Sequence, residues 1–362
     1  MKKVLFTMLV LLMGSMSAEA QGNKADQIKQ IRQAYAEAKK DVDENGKNGN
    51  PRMDIQIVWH DGTQVDEDFI INEDETLNFY FRRMHLSGDT DLFDARCYLI
   101  TTNSSANGHT SYRELLFNPF SGRLLFCFLR SETHAGFVME SRYYYDEQGN
   151  LIEEKHKAGG KEQSVDSPYG GGGSNVLEQA KKYTSLFDDI MRQTSVSADS
   201  YKAQATANKA EQLKSIRSLY AQAKQKIADD AKSDIPRNMT IDIHDQADPD
   251  MPSQHDVLNF WFEPVAKETE NVNSCYFLSS HCELGDHDVY SEWLINAQTQ
   301  QLQFCYSKQA QNEGPALEWR YYFDANGQCI EVKGEDSKYG PGFADKKQAK
   351  AYLSIFQAIT TM

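Results

Sequence analysis

Apolar positions recur along this chain in two rhythms. Ile28, Ile31, Tyr35 and Ala38 follow the three-to-four spacing of an amphipathic helix, and the spacing returns at Leu213, Ile216, Tyr220 and Ala223. Behind the first helix come short runs rich in aromatic and branched residues, near 53–59, 76–84, 95–102, 111–117, 123–130, 138–145 and 151–156. Gly, Pro, Asn and Asp divide them, which predicts strands. Connections this short suit antiparallel neighbours, because parallel strands need long crossovers. Asp146-Glu147-Gln148-Gly149 and Asp324-Ala325-Asn326-Gly327 predict tight hairpins whose glycine takes positive φ. A closing helix carries Leu177, Ala180, Tyr183, Phe187 and Ile190 on one face.

The pattern is written twice. Residues 28–39 (IKQIRQAYAEAK) match 213–224 (LKSIRSLYAQAK), Leu77 to Phe81 matches Leu258 to Phe262, and Cys97-Tyr98 matches Cys275-Tyr276. Glu140 to Lys155 (ESRYYYDEQGNLIEEK) matches Glu318 to Lys333 (EWRYYFDANGQCIEVK), and QAKKYTSLFDDI matches QAKAYLSIFQAI. The matches keep their order, which is the signature of a duplicated domain. The expected architecture is α+β, in two tandem homologous domains. Each has an N-terminal helix, an antiparallel meander of about six or seven strands and a C-terminal helix. The first domain is placed at 21–192 and the second at 208–362, with 193–207 as linker. The stretch Tyr145 to Leu151 resembles a unit of the tyrosine-aspartate repeats of large secreted shells, over some ten residues of each copy. That resemblance implies a shared hairpin solution.

Lys2-Lys3, the apolar run Val4 to Met13 and the small-residue ending Ala18-Glu19-Ala20 read as a secretory signal over residues 1–20, and predict a periplasmic or extracellular protein. No later stretch is apolar enough to span a bilayer as a helix. Lys and Arg number 38 against 53 Asp and Glu, a net charge of −15, which argues against nucleic acid, whose binding depends on neutralising phosphates. The six cysteines are few for 362 residues, so core burial must carry the stability. Cys282 and Cys329 are peculiar to the second copy, where the first has Ser104 and Leu151, and this predicts one bridge between them. A plain meander would set the two far apart, so the bridge requires another strand order or a folded-back loop at 281–288.

Strand alternation supplies the candidate site. Glu140, Arg142 and Tyr144 fall on one face of the sixth strand, matched by Glu318, Arg320 and Tyr322. Tyr112 and Glu114, matched by Tyr290 and Glu292, alternate away from apolar neighbours in the fourth. The second strand adds Asn78 and Tyr80, or Asn259 and Trp261. Rings beside fixed polar groups suit a glycan or peptide, since stacking supplies area and hydrogen bonds supply orientation. The alternative is a cross-strand ion-pair network under the packed helices.

Glu114 and Glu140 could form a carboxylate pair for polymer hydrolysis, yet a nearby Arg142 is expected to lower both pKa values rather than raise one. The stretch His281 to Asp288 holds plausible zinc ligands but no familiar ligand spacing, so no metal is assigned. Gly170 to Gly173 and Gly340-Pro341-Gly342 read as helix entries, without the Lys-Ser/Thr of a phosphate loop. No nucleophile motif and no cofactor motif appears. The sequence therefore predicts an exported, non-enzymatic binding or adaptor protein. A hydrolase of extracellular polymers and a structural or inhibitory partner of another exported protein are the alternatives.

Overall fold

The computed structural model describes residues 24–47, 50, 52–64, 70–85, 93–106, 108–163, 173–193, 209–233, 236–246, 253–267, 270–285, 287–311, 314–334 and 346–361. Residues 1–20, most of the predicted linker and both glycine-rich helix entries except Gly173 lie outside them. Two compact units emerge, one built mainly on residues 75–187 with the N-terminal helix, the other mainly on 188–246 and 250–362. The fold is α+β and every adjacent strand pair described below is antiparallel.

In the first half of the chain, helix α1 (Lys24–Glu44) is followed by strands β1 (Met53–Gln64), β2 (Ile70–His85), β3 (Phe93–Ala106), β4 (His109–Phe117), β5 (Leu124–Glu132), β6 (Val138–Tyr145), β7 (Leu151–Ala158) and β8 (Lys161–Gln163), then helix α2 (Gly173–Gln193). Strands β3 to β8 form a simple meander, each paired with the next. Helix α1 buries Ile28, Ile31 and Ala38 against Tyr98, Leu99, Leu116, Phe126 and Tyr144. Asn45 fastens its end to β1, donating through Nδ2 to Asp54 at 2.9 Å and accepting from the Met53 N–H at 3.0 Å. The opposite face of the sheet carries Leu77, Phe79 and Phe81. Against it packs α2, with the Phe187 ring 5.8 Å from Phe79 and 5.6 Å from Phe81. The sheet is thus held between two helices, one on each face.

The second unit repeats this layering. Helix α3 (Lys209–Asp230) precedes β9 (Arg237–Asp245), β10 (Gln254–Lys267), β11 (Glu270–Leu284), β12 (His287–Ile295), β13 (Leu302–Gln309), β14 (Leu317–Phe323) and β15 (Cys329–Gly334), and α4 (Lys346–Thr360) closes the chain. Helix α3 packs on Tyr276, Phe277, Leu294, Phe304, Tyr322 and Ile330. On the other face, α4 sets Phe356 against Phe260 and Phe262 and Tyr352 against Trp293.

Both predicted hairpins form. The Asp146 N–H donates to Asn150 O at 2.9 Å and Gly149 has φ 87°, while Asp324 and Gly327 (φ 71°) repeat the arrangement. Next to each turn the register shifts by one residue, between Tyr144 and Tyr145 and between Tyr322 and Phe323, which leaves Ile152 and Ile330 as the extra residues of a bulge. The aspartate carboxylate holds the loop by accepting from two backbone N–H groups, in Asp324 those of Asn326 at 2.9 Å and Gln328 at 2.8 Å. Asp324→Ala is expected to cost about 1 kcal/mol, read as a lowered urea midpoint. An unchanged midpoint would mean the glycine alone fixes the turn.

Two expectations need correction. The strand count exceeds six or seven in the first half, because Gly159 and Gly160, at φ 56° and 79°, reverse the chain in a two-residue hairpin and add β8. The bridge between Cys282 and Cys329 does not form, and all six cysteines are free. Cys282 lies in β11 and Cys329 in β15, with β12, β13 and β14 between them. Four strand spacings of about 4.8 Å come to more than twice the Cα separation of about 7 Å that a disulfide tolerates. The meander wins over the count of unmatched cysteines. No described helix is long and apolar enough to cross a membrane.

Candidate functional site

Register brings the alternating residues together. Glu114 stands opposite Thr101 on β3 and Phe128 on β5, Phe128 opposite Arg142, Phe126 opposite Tyr144 and Arg130 opposite Glu140. Asn78 joins them by donating to Thr101 Oγ1 at 3.1 Å. In the second unit Glu292 stands opposite Ser279 and Tyr306, Tyr306 opposite Arg320, and Lys308 opposite Glu318. Asn259 reaches Ser279 Oγ at 3.4 Å and accepts from Thr240 at 2.9 Å. These residues occupy the face on which the N-terminal helix of each unit lies, and the helix divides them into a covered set and an outer set.

Glu114 is covered, with 3 % of its surface exposed. The hydroxyl of Tyr35 and the ammonium of Lys39, one turn apart on α1, both reach its carboxylate, and Tyr112 donates from the neighbouring position of its own strand. The second unit builds the same clamp: Tyr220 and Lys224 of α3 engage Glu292, Lys224 at 2.8 Å, and Tyr290 donates to it at 2.6 Å. A helix spacing of four puts the tyrosine and lysine on one face, and a strand spacing of two puts Tyr112 beside Glu114. Burial pushes the Glu114 carboxyl up to about 7. This corrects the expectation that Arg142 would lower it, for Arg142 bonds Glu140 instead, at 3.3 Å. A raised carboxyl suits an acid catalyst, but geometry comes first, and here the helix stands where a substrate would have to enter. Tyr80 and Trp261 are half-buried and pack against the same helix-covered clusters.

The outer set is open. Arg142 lies over the Phe128 ring at 5.1 Å, and Arg32 of α1 lies over Tyr144 at 5.5 Å while donating to its hydroxyl at 3.3 Å. Between them runs a groove of about 460 Å³. Its walls carry four cations, Arg32, Arg142, Lys155 and Lys157, against one carboxylate, Glu162, and its aromatic lining is Tyr35, Phe126 and Tyr144. Side-chain exposures of 33 % for Arg142 and 48 % for Lys155 leave these charges accessible to a ligand. In the second unit Arg217 and Lys333, the counterparts of Arg32 and Lys155, converge with Lys209 on Glu331 at 3.5, 3.7 and 3.6 Å, and Arg320 pairs with Glu318 at 2.9 Å.

Sequence reasoning found Glu140, Arg142 and Tyr144 but missed Arg32, Lys155 and Lys157. Arg32 was legible as the residue beside the apolar stripe of the first helix. The two lysines alternate with Glu154 and His156 on a strand adjacent to Arg142, and only the β6–β7 register brings them to it. A second assembly also escaped notice, in which Asp242, His244 and His255 point ligand atoms at one place. Of the stretch at 281–288, His281 bonds Asp288 at 2.8 Å, while Cys282, its thiol raised by burial and by the adjacent Asp256, looks elsewhere. No protein-family model and no curated protein matches the chain.

Proposed function

We propose that this is an exported, non-enzymatic binding protein built from two homologous domains, and that the groove of the first takes an anionic glycan or peptide. The observation that carries the reading is the groove itself: four cations beside aromatic walls in a chain of net charge −15. Cations concentrated against the overall charge serve an anionic group, and the rings supply the apolar area that gives such a site its grip. The duplicated sequence and the recurrence of the Tyr-Glu-Lys clamp at matching positions support the two-domain reading. Against hydrolysis stands the covered Glu114, whose carboxylate is already engaged by three donors.

The test titrates the full chain with a hexauronate, a hexaglutamate peptide and neutral maltohexaose by calorimetry. One of the two acidic probes should bind, more weakly as salt is raised, and the neutral sugar should not. Arg142→Ala and Lys157→Ala should each weaken that binding by about 1–3 kcal/mol with the fold intact by circular dichroism. Equal binding of maltohexaose, or undiminished binding by both variants, would remove the groove as the ligand site.

A further inference from the structure

We propose that Asp242, His244 and His255 form a binding site for a zinc-class divalent cation, independent of the groove. Asp242 and His244 are two residues apart on β9 and so share a face, and the β9–β10 register sets His255 directly opposite His244. Both imidazoles aim at the same atom. His255 Nε2 lies 2.8 Å and His244 Nε2 3.1 Å from Asp242 Oδ1, and the three ligand atoms all fall within 4.8 Å of one another. The two rings are stacked, 4.2 Å between centroids and 11° between planes. Tetrahedral zinc with bonds of about 2.0–2.2 Å needs ligand atoms roughly 3.3–3.6 Å apart, so modest side-chain rotations convert the shared hydrogen bonds into a coordination shell.

A second feature points the same way. His255 Nδ1 faces Glu283 Oε2 of β11 at 3.5 Å. When Nε2 binds a cation, the imidazole must carry its proton on Nδ1, and a carboxylate stationed there accepts that N–H and fixes both tautomer and ring orientation. Glu283 thus acts as a positioning residue, behind a ligand rather than on the metal. Beyond it His281 and Asp288, bonded to each other, continue the row.

The ligand set selects the metal. Two imidazoles and one carboxylate suit zinc and its transition-metal neighbours, whereas magnesium and calcium demand oxygen. Side-chain exposures of 18 % for His244, 33 % for Asp242 and 32 % for His255 give the cation an entry path and leave a coordination position facing solvent, where water or an anionic group of a ligand would sit. Aligning the two halves of the sequence through Ile55/Ile241 and Leu77/Leu258 puts Gln56, Val58 and Asp74 at the three positions. The first half therefore lacks the set, and the stoichiometry should be one.

Titrating the chelator-treated full chain with Zn²⁺ by calorimetry should give one site per chain, unaffected by excess Mg²⁺. His244→Gln and His255→Gln should each weaken it by more than the roughly tenfold loss expected for the positioning variant Glu283→Gln, with circular dichroism unchanged. Co²⁺ in place of zinc should give visible bands that the double variant His244→Gln/His255→Gln abolishes. Absence of tight Zn²⁺ binding, or binding that survives in the double variant, would overturn the assignment.

Discussion

Replacing Trp293 with alanine is expected to lower the stability of the second unit by about 3–5 kcal/mol, the cost of emptying a large buried aromatic site. Trp293 has 0 % of its surface exposed and meets Tyr352 of α4 edge-on at 5.6 Å, so its loss opens a cavity at the junction of helix and sheet. Trp293→Phe should be far milder. Among the described residues the buried indole N–H has no hydrogen-bond partner, and removing it returns part of what the smaller ring loses, since an unsatisfied buried donor costs about 1–3 kcal/mol. Urea unfolding of the three proteins decides the matter. A phenylalanine variant as unstable as the alanine one would overturn this account, since it would mean that a ring without the N–H recovers nothing.

The second large effect belongs to the Tyr-Glu-Lys clamp. Lys224→Met should destabilise by about 3 kcal/mol, because Glu292 keeps two phenol donors but loses the cation that offsets its burial. The figure sits at the low end for buried pairs because the Lys224 side chain is 44 % exposed while that of Glu292 is 5 % exposed. Adding Glu292→Gln should restore most of the loss, since an amide still accepts from Tyr220 and Tyr290 without a charge to neutralise. A double variant whose loss equals the sum of the single ones would show that lysine and carboxylate do not act as a pair.

The contrast between what the chain reveals and what it hides follows from the range of each signal. Helix α1 was legible because Ile28, Ile31, Tyr35 and Ala38 are local, and the 146–149 and 324–327 hairpins because a turn is a property of four residues. The shared face of Glu114, Glu140 and Arg142 was legible too, since period two needs no tertiary information. What lies on that face was not. Nothing in a strand's alternation tells Glu114, beneath a helix, from Arg142, beside a groove, because the difference depends on where α1 lies across the sheet. The His244 and His255 pairing was hidden for a related reason. It depends on a register across a hairpin whose connection carries no turn signal of defined length. The cysteine expectation failed in the opposite direction: two residues unmatched between copies suggested a bond, and strand order forbade it.

Strand β8 alters how the first meander ends. It is three residues long, Lys161-Glu162-Gln163, and pairs with the last three of the eight residues of β7, His156, Lys157 and Ala158. A long, bare outer strand is a template on which other chains can add themselves, and a short, charged one offers too few groups for a stranger to grip. The two glycines that fold β8 back thus end the described meander on a short strand that carries Lys161 and Glu162, a poor template for a second copy.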